Sequence, residues 1–350
     1  MPSDWKGKMH KFNLAVKDAI RLLSENTEWV SRYSEYAKAI VANRSVIKDK
    51  KKMFHQWSPL YLYMNVNRAK SCSPTFSLRY FGQDVAYLNI SGKEVKLKDE
   101  KCRDNTKYGK LRRQNQRDFG CSIDFHDKKW TGTEARNFRK YFLSNPARNR
   151  KNNKGNEEHR VEDLLLTEFS KRQGRIKKTK LHNIQPIKIA GVARFQMPTP
   201  FGASGKQVKY SKKGGGIDIL ARVGKGRGTT ICVMEVKDEY LKKEPPQKAI
   251  TQGLYYATFI RELLRSSCGN DWWNLFGFSG TVRKKLNICV CCVMPFNKSG
   301  DSDKSFGGYQ MPIENDTFEL HYMYFSEDGK INNIKTSIGG RIASNNTSRG

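Results

Sequence analysis

Residues 214–238 read GGGIDILARVGKGRGTTICVMEVKD, and the organisation of the chain is read outward from them. Two apolar runs, 216–223 and 230–236, flank the Gly-rich segment GKGRG, a pattern that predicts two strands paired as an antiparallel hairpin. Asp218 then opens the first strand. Glu235 and Lys237 lie two residues apart on the second, so their side chains project from one face, in the company of Val233, Met234 and Val236. Charged groups on so apolar a strand are costly unless they are paired or coordinate a metal. Two carboxylates supply the hard oxygen ligands that Mg²⁺ takes, and an ammonium beside them can orient a nucleophile or offset charge. A plain surface strand with a Glu-Lys pair and a turn Asp is the alternative reading of the same residues. GKGRG precedes a strand rather than a helix, so it is a turn and not a phosphate loop.

The flanking sequence supplies the rest of a core. EHRVEDLLLTEF (158–169) spaces Val161, Leu164, Leu165 and Phe169 as one helical face. Strand patterns occupy 184–195 and 286–295, a helix is expected over 246–264, and the tail alternates at 318–325 and returns at 331–334 as a hairpin. Near the start, 12–30 begins as an amphipathic helix and 33–41 can form a second. Residues 61–97 read as a small β-meander.

From Lys98 to Lys154 the chain is polar and strongly basic, with Tyr108, Phe119, Trp130, Phe138 and Tyr141 interleaved. That texture suits a nucleic-acid surface on which rings stack and cations neutralise phosphates, or equally a solvated basic face. RKNNKGNEEH (150–159) is the linker candidate. Residues 1–150 are therefore expected to form an α+β basic, target-recognition module, 151–340 the second domain, and 341–350 a disordered tail.

The order of these residues resembles the PD-(D/E)XK, or restriction-endonuclease-like, nuclease superfamily. The motif stands here as Ile217-Asp218-Ile219 and Glu235-Val236-Lys237, with Ile217 in place of the proline of the family name. The superfamily places an acidic residue on the preceding helix, which implies Glu162, with Glu158 one turn earlier in reserve. Gln252 and Tyr256, in AITQGLYYATFI, match the Q-x-x-x-Y element of RecB-like and exonuclease-like members. The resemblance covers residues 155–295. It implies an α/β fold in which a mixed sheet is flanked by helices, with Asp218, Glu235 and Glu162 as ligands to Mg²⁺ (Mn²⁺ as substitute). It further implies Lys237 positioning the attacking water and Gln252 and Tyr256 supporting the site.

Composition bears on partners. The 350 residues carry a formal net charge of +31 and are 37% hydrophobic, with an isoelectric point of about 9.8. A potential of that sign favours a polyanion. With no run of 18 or more apolar residues and no signal-like segment at Met1, a soluble, cytoplasmic protein without membrane partners is expected. Eight cysteines are too few for a disulfide scaffold and read as reduced thiols. Cys289 and Cys292 have C-x-x-C spacing but lie in the apolar run LNICVCCVM, which reads as a buried strand rather than a zinc site. The six histidines show no metal-binding spacing. The expected activity is phosphodiester hydrolysis, of DNA before RNA, by an endonuclease of restriction or anti-phage defence, with a homodimer and an ATPase or defence-system subunit as candidate partners. Repair or recombination and transposition are alternative settings. A non-catalytic nucleic-acid-binding protein on a nuclease scaffold, or a ribosomal-type RNA-binding protein, are the readings from other classes.

Overall fold

The structure is a computed structural model that describes residues 3–49, 60–66, 74–91, 94–98, 125–144, 157–170, 183–191, 193–202, 208–237, 245–296, 302–327 and 331–338. The expected tail at 341–350 lies outside the described residues. So do Tyr108 and Phe119 of the basic segment and the first seven residues of the linker candidate.

Helices α1 (Ser3–Ser24) and α2 (Glu28–Asp49) come first, so the periodic stretch at 12–30 is broken at residues 25–27. Strands β1 (Leu60–Val66), β2 (Pro74–Tyr80), β3 (Gln83–Ser91) and β4 (Glu94–Lys98) form the expected meander, joined by the short β5 (Lys128–Lys129) and followed by α3 (Thr133–Ser144) and α4 (Glu157–Ser170). The stretch read as one strand at 184–195 is three: β6 (Ile184–Pro186), β7 (Lys188–Ile189) and β8 (Ala193–Phe195). Ala190 and Gly191, at φ +52° and +71°, turn the chain between the last two. β6 joins one sheet and β7 and β8 the other.

After β9 (Pro198–Gly202) and β10 (Lys209–Gly216) come β11 (Ile219–Val223), β12 (Thr230–Val236), α5 (Pro246–Arg265), α6 (Gly269–Leu275), β13 (Asn287–Pro295), β14 (Gln310–Ile313), β15 (Asp316–Glu327) and β16 (Ile331–Thr336). β11 and β12 pair antiparallel, as the hairpin pattern predicts, with Ile219 opposite Met234. The turn between them needs Gly224, at φ +101°, where an added Cβ would lie 2.6 Å from the Gly228 carbonyl oxygen. β12, β13 and β15 run parallel, and such strands need a long crossover, supplied between β12 and β13 by α5.

The result is an α/β protein built on two seven-stranded sheets, ordered β5-β4-β3-β2-β1-β8-β7 and β14-β15-β13-β12-β11-β6, with β16 on β15. The second sheet is mixed and buried on both faces, which is why its central strands are almost uninterruptedly apolar. Leu220, Ile231, Val233 and Val290 pack in one core with Ile250 and Leu254 of α5. The alternate residues Ile219, Cys232, Met234 and Val236 pack with Val161, Leu165 and Leu166 of α4.

The packing runs across the expected boundary and buries two of the interleaved rings. The packing does not divide at residue 150, because the first core runs from Met9 to Tyr324. α1 and α2 lie against the C-terminal helices: Tyr255 Oη donates to Asp18 Oδ2 (2.7 Å) and Trp272 Nε1 to the Tyr33 carbonyl (3.1 Å), while Tyr33 and Phe259 rings meet at 4.8 Å. β8, from the second half, extends the first sheet beside β1. Likewise Trp130 and Phe138 of the basic segment are not surface rings. Both are buried, Phe138 against Phe125 and Phe142, with the Arg139 guanidinium stacked on Trp130. A short amphipathic helix has to bury its aromatic stripe, and α3 buries its own in the first sheet's core. No described helix is long and apolar enough to cross a membrane.

Candidate functional site

The charged residues of β12 meet those of the adjoining elements at its carboxyl end. Glu235 is flanked by Met234 and Val236, so its side chain projects to the face opposite theirs, toward α5. There Gly253 lets the helix lie close: a Cβ at that position would stand 2.8 Å from Val290 Cγ1 and 3.9 Å from Glu235 Cβ. Asp218 stands just before β11, where its Oδ2 accepts a hydrogen bond from the Val236 N–H (2.9 Å). That bond ties the first carboxylate to the strand carrying the second. Lys237, whose own N–H donates to the Val293 carbonyl (2.9 Å), is thereby aligned at the strand end.

Lys237 Nζ donates to Glu235 Oε1 and to Glu158 Oε1, each at 2.8 Å. One oxygen each from Glu158, Asp218 and Glu235 lies within 4.8 Å of the others. The helix carboxylate in this cluster is thus Glu158, the reserve candidate, on the first turn of α4. Glu162 is buried at 3% exposure and contacts His159 Nδ1 at 3.5 Å. The two share a face but stand a full turn apart, and helical side chains lean toward the N-terminus, so the residue on the first turn reaches the strand end. Glu162 pairs with His159 instead, and its hydrogen bond raises the pKa of His159.

The electrostatics of the cluster follow from its burial and its neighbours. Asp218 is held well above the usual carboxylate range, first by burial and then by Glu235 and Glu158, with Lys237 opposing. Burial would push Lys237 down, but Glu235, Asp218 and Glu158 outweigh it and its pKa is raised, so the ammonium stays charged. Two like charges ~4 Å apart repel by about 4 kcal/mol at an effective dielectric of ~20. A divalent cation held among Glu158, Asp218 and Glu235 would relieve the repulsion that raises Asp218 and favour its ionised form. The donors are all carboxylate oxygens, which suits Mg²⁺ or Mn²⁺ rather than a softer metal.

Gln252 and Tyr256 share a face of α5, and Gln252 Nε2 donates to Tyr256 Oη at 3.1 Å. The Tyr256 pKa is raised by burial and then by Glu235 and Asp218, which places the phenol in the field of the cluster. Asp218, Glu235, Lys237 and Tyr256 are thus gathered at one place, with Gln252 attached through Tyr256. Sequence reasoning did not find a second grouping, Cys289, Glu319 and His321, whose ligand atoms also lie within 4.8 Å of one another. Only the parallel pairing of β13 with β15 brings those residues together. No protein-family model, curated protein or solved structure matches the chain.

Proposed function

We propose that this protein is a metal-dependent nuclease that hydrolyses phosphodiester bonds, a cytoplasmic DNA endonuclease of restriction or anti-phage defence. The observation that carries the reading is the meeting of Glu158, Asp218 and Glu235 within 4.8 Å, with Lys237 bonded to two of them. The restriction-endonuclease-like reading draws support from the mixed sheet between α4 and α5 and from the order of helix carboxylate, Asp218, Glu235-x-Lys237 and Gln252-x-x-x-Tyr256 along the chain.

Glu158, Asp218 and Glu235 would hold Mg²⁺, or Mn²⁺ in its place, which when bound supplies Lewis-acid activation of water and charge neutralisation at phosphate. Lys237 stays protonated, so it acts as a donor that orients the attacking water and offsets developing negative charge, and does not act as the general base. Gln252 and Tyr256 present an amide and a phenol beside the carboxylates, suited to hold the phosphate in register. The net charge of +31 supports a polyanionic substrate and steep salt dependence. Repair, recombination and transposition are other settings of the same chemistry. Cutting both strands of a duplex with one such site per chain calls for a second copy, and an ATPase or defence subunit is a candidate partner.

The test is cleavage of circular and linear duplex DNA, single-stranded DNA and RNA with Mg²⁺ or Mn²⁺, comparing the wild type with Glu235→Ala and Lys237→Ala. Metal-dependent cutting of circular DNA that both substitutions abolish is expected. Salt-sensitive binding with no cutting of any substrate would instead favour the non-catalytic scaffold, and cutting that survives both substitutions would place the chemistry elsewhere.

A further inference from the structure

The parallel pairing of β12, β13 and β15 puts Cys232 opposite Cys289 and Cys289 opposite Glu319, on one rung of the sheet. His321 follows two residues after Glu319 and so projects from the same face. Cys232 and Cys289 belong to the core beneath α4, whereas Cys292 belongs to the other core. The C-x-x-C pair seen in the sequence is therefore split between the two faces, and the sulfur chemistry is assembled across strands.

Cys289 Sγ, a Glu319 oxygen and a His321 ring nitrogen lie within 4.8 Å of one another, and His321 Nε2 stands 3.4 Å from Glu319 Oε1. Cys232 adds a neighbouring thiol, hydrogen-bonded to Cys289. The second ring nitrogen, His321 Nδ1, is 3.0 Å from Ser337 Oγ. With Nδ1–H donating to that hydroxyl, the Nε2 lone pair faces the sulfur and the carboxylate, an orientation that metal-ligating histidines require. Cys289 and His321 are each 4% exposed, while the Glu319 side chain at 19% opens the cluster to solvent.

We propose that Cys289, His321 and Glu319, completed by Cys232, form a Zn²⁺ site that staples β12, β13 and β15. The mixed sulfur, nitrogen and oxygen donors select a borderline-soft ion, unlike the all-oxygen cluster at the other end of the strands. A tetrahedral Zn²⁺ at about 2.0–2.3 Å from each donor holds its ligands within roughly 4 Å of one another, so Cys289, Glu319 and His321, within 4.8 Å of one another, need to close by only about an ångström. The two metal sites are separate: Glu235 pairs in register with Cys292 and Cys232 with Cys289, three rungs or ~10 Å along the strands, and Glu235 and Cys232 project from opposite faces.

The experiment is a Co²⁺ titration of the full chain, purified under reducing conditions and stripped with a chelator. A near-ultraviolet sulfur-to-cobalt charge-transfer band that saturates at one equivalent and is displaced by Zn²⁺ is expected. The double variant Cys232→Ser/Cys289→Ser should lose the band and His321→Ala should weaken Co²⁺ binding, whereas Asp218→Asn, in the carboxylate cluster, and Cys292→Ser, on the opposite face of β13, should keep the band. Absence of the band in the wild type, or its persistence in the Cys232→Ser/Cys289→Ser double variant, overturns the proposal. Should the variants fail to fold, X-ray absorption of the Zn²⁺-loaded wild type decides: a sulfur shell is expected, and a shell of oxygen and nitrogen alone overturns it.

Discussion

Lys237 Nζ donates to Glu158 Oε1 over 2.8 Å, a bond that ties the end of β12 to the first turn of α4 across 79 residues of chain. It fixes which helix carboxylate faces Asp218 and Glu235. Glu158→Gln should weaken Mn²⁺ binding by roughly tenfold to a hundredfold, the usual cost of losing a group at a metal site, and lower cleavage in parallel. Glu162→Gln should leave Mn²⁺ affinity nearly unchanged yet lower the Tm, because Glu162 is buried against His159. Calorimetric titration of the two variants separates the roles, and the reverse ranking would return the metal to Glu162.

Lys237 is held charged by three carboxylates, and its contribution is that charge. Lys237→Met should reduce cleavage by about 10²–10³-fold, comparable to removing one donor aimed at developing negative charge. Lys237→Arg should not restore it, since a planar guanidinium cannot occupy the place of a compact ammonium bonded to Glu235 and Glu158. Because the ammonium keeps its proton, the rate against pH should show an acid limb from the carboxylates and no alkaline limb from Lys237 at ordinary assay pH.

Asp218 carries the opposite strain. Its pKa is raised in the folded protein, so the stability it contributes is greatest when it is protonated, and it is lost as pH rises from the ordinary carboxylate value through the raised one. Without metal at neutral pH, Asp218→Asn should therefore melt higher than the wild type. Added Mg²⁺ should raise the Tm of the wild type and not of the variant, because only the wild type has the repulsion to relieve. Thermal melts with chelator and with Mg²⁺ give all four values, and an Asn variant that melts lower in chelator would mean that the Val236 N–H bond outweighs the repulsion.

The β11–β12 hairpin and helices α4 and α5 were legible in the sequence because each rests on a local pattern: a Gly-rich turn between apolar runs, or a helical stripe. Asp218, Glu235, Lys237 and Tyr256 were legible for the same reason, being fixed to strands and a helix by spacing of two or four residues. The choice of Glu158 over Glu162 was not, because it depends on which turn of α4 lies over the strand end. Nor was the continuity of the core across residue 150, since the packing of α1 on α5 and the pairing of β8 with β1 are long-range contacts without a local signature. Cys289, Glu319 and His321 were invisible in the same way, as their proximity is a matter of register between separated strands.

Gly253 tests the approach of α5 to the sheet. Alanine gains about 1 kcal/mol of helix propensity, but its Cβ would meet Val290 Cγ1 at 2.8 Å, and overpacking a core costs typically 1–3 kcal/mol. The net effect of Gly253→Ala should be a destabilisation of no more than about 2 kcal/mol by these two figures, readable in urea unfolding. Cleavage should fall further than stability does, because the helix carries Gln252 and Tyr256 and moves away from Glu235 as a unit.

Acid should act on the protein at Asp316, far from the carboxylate cluster. Its side chain is 1% exposed and accepts from Arg261 Nε (2.9 Å), the Leu286 N–H (2.8 Å) and Arg265. Burial alone would raise its pKa, but the Arg265, Leu286 and Arg261 hydrogen bonds outweigh burial and hold it below the usual 3.8. A depressed carboxylate contributes stability that is fully present above its unfolded pKa and is lost as pH falls through the folded one. Asp316→Asn should therefore cost on the order of 2–4 kcal/mol at neutral pH, toward the lower end of what breaking a buried pair costs, because Arg261 retains Glu262 and Glu314. The gap between variant and wild type should narrow as pH falls from the ordinary carboxylate value of ~3.9 through the depressed value of the folded protein. Urea unfolding at neutral and acid pH measures both, and a gap that stays constant across that range would show that Asp316 acts through packing and not through its charge.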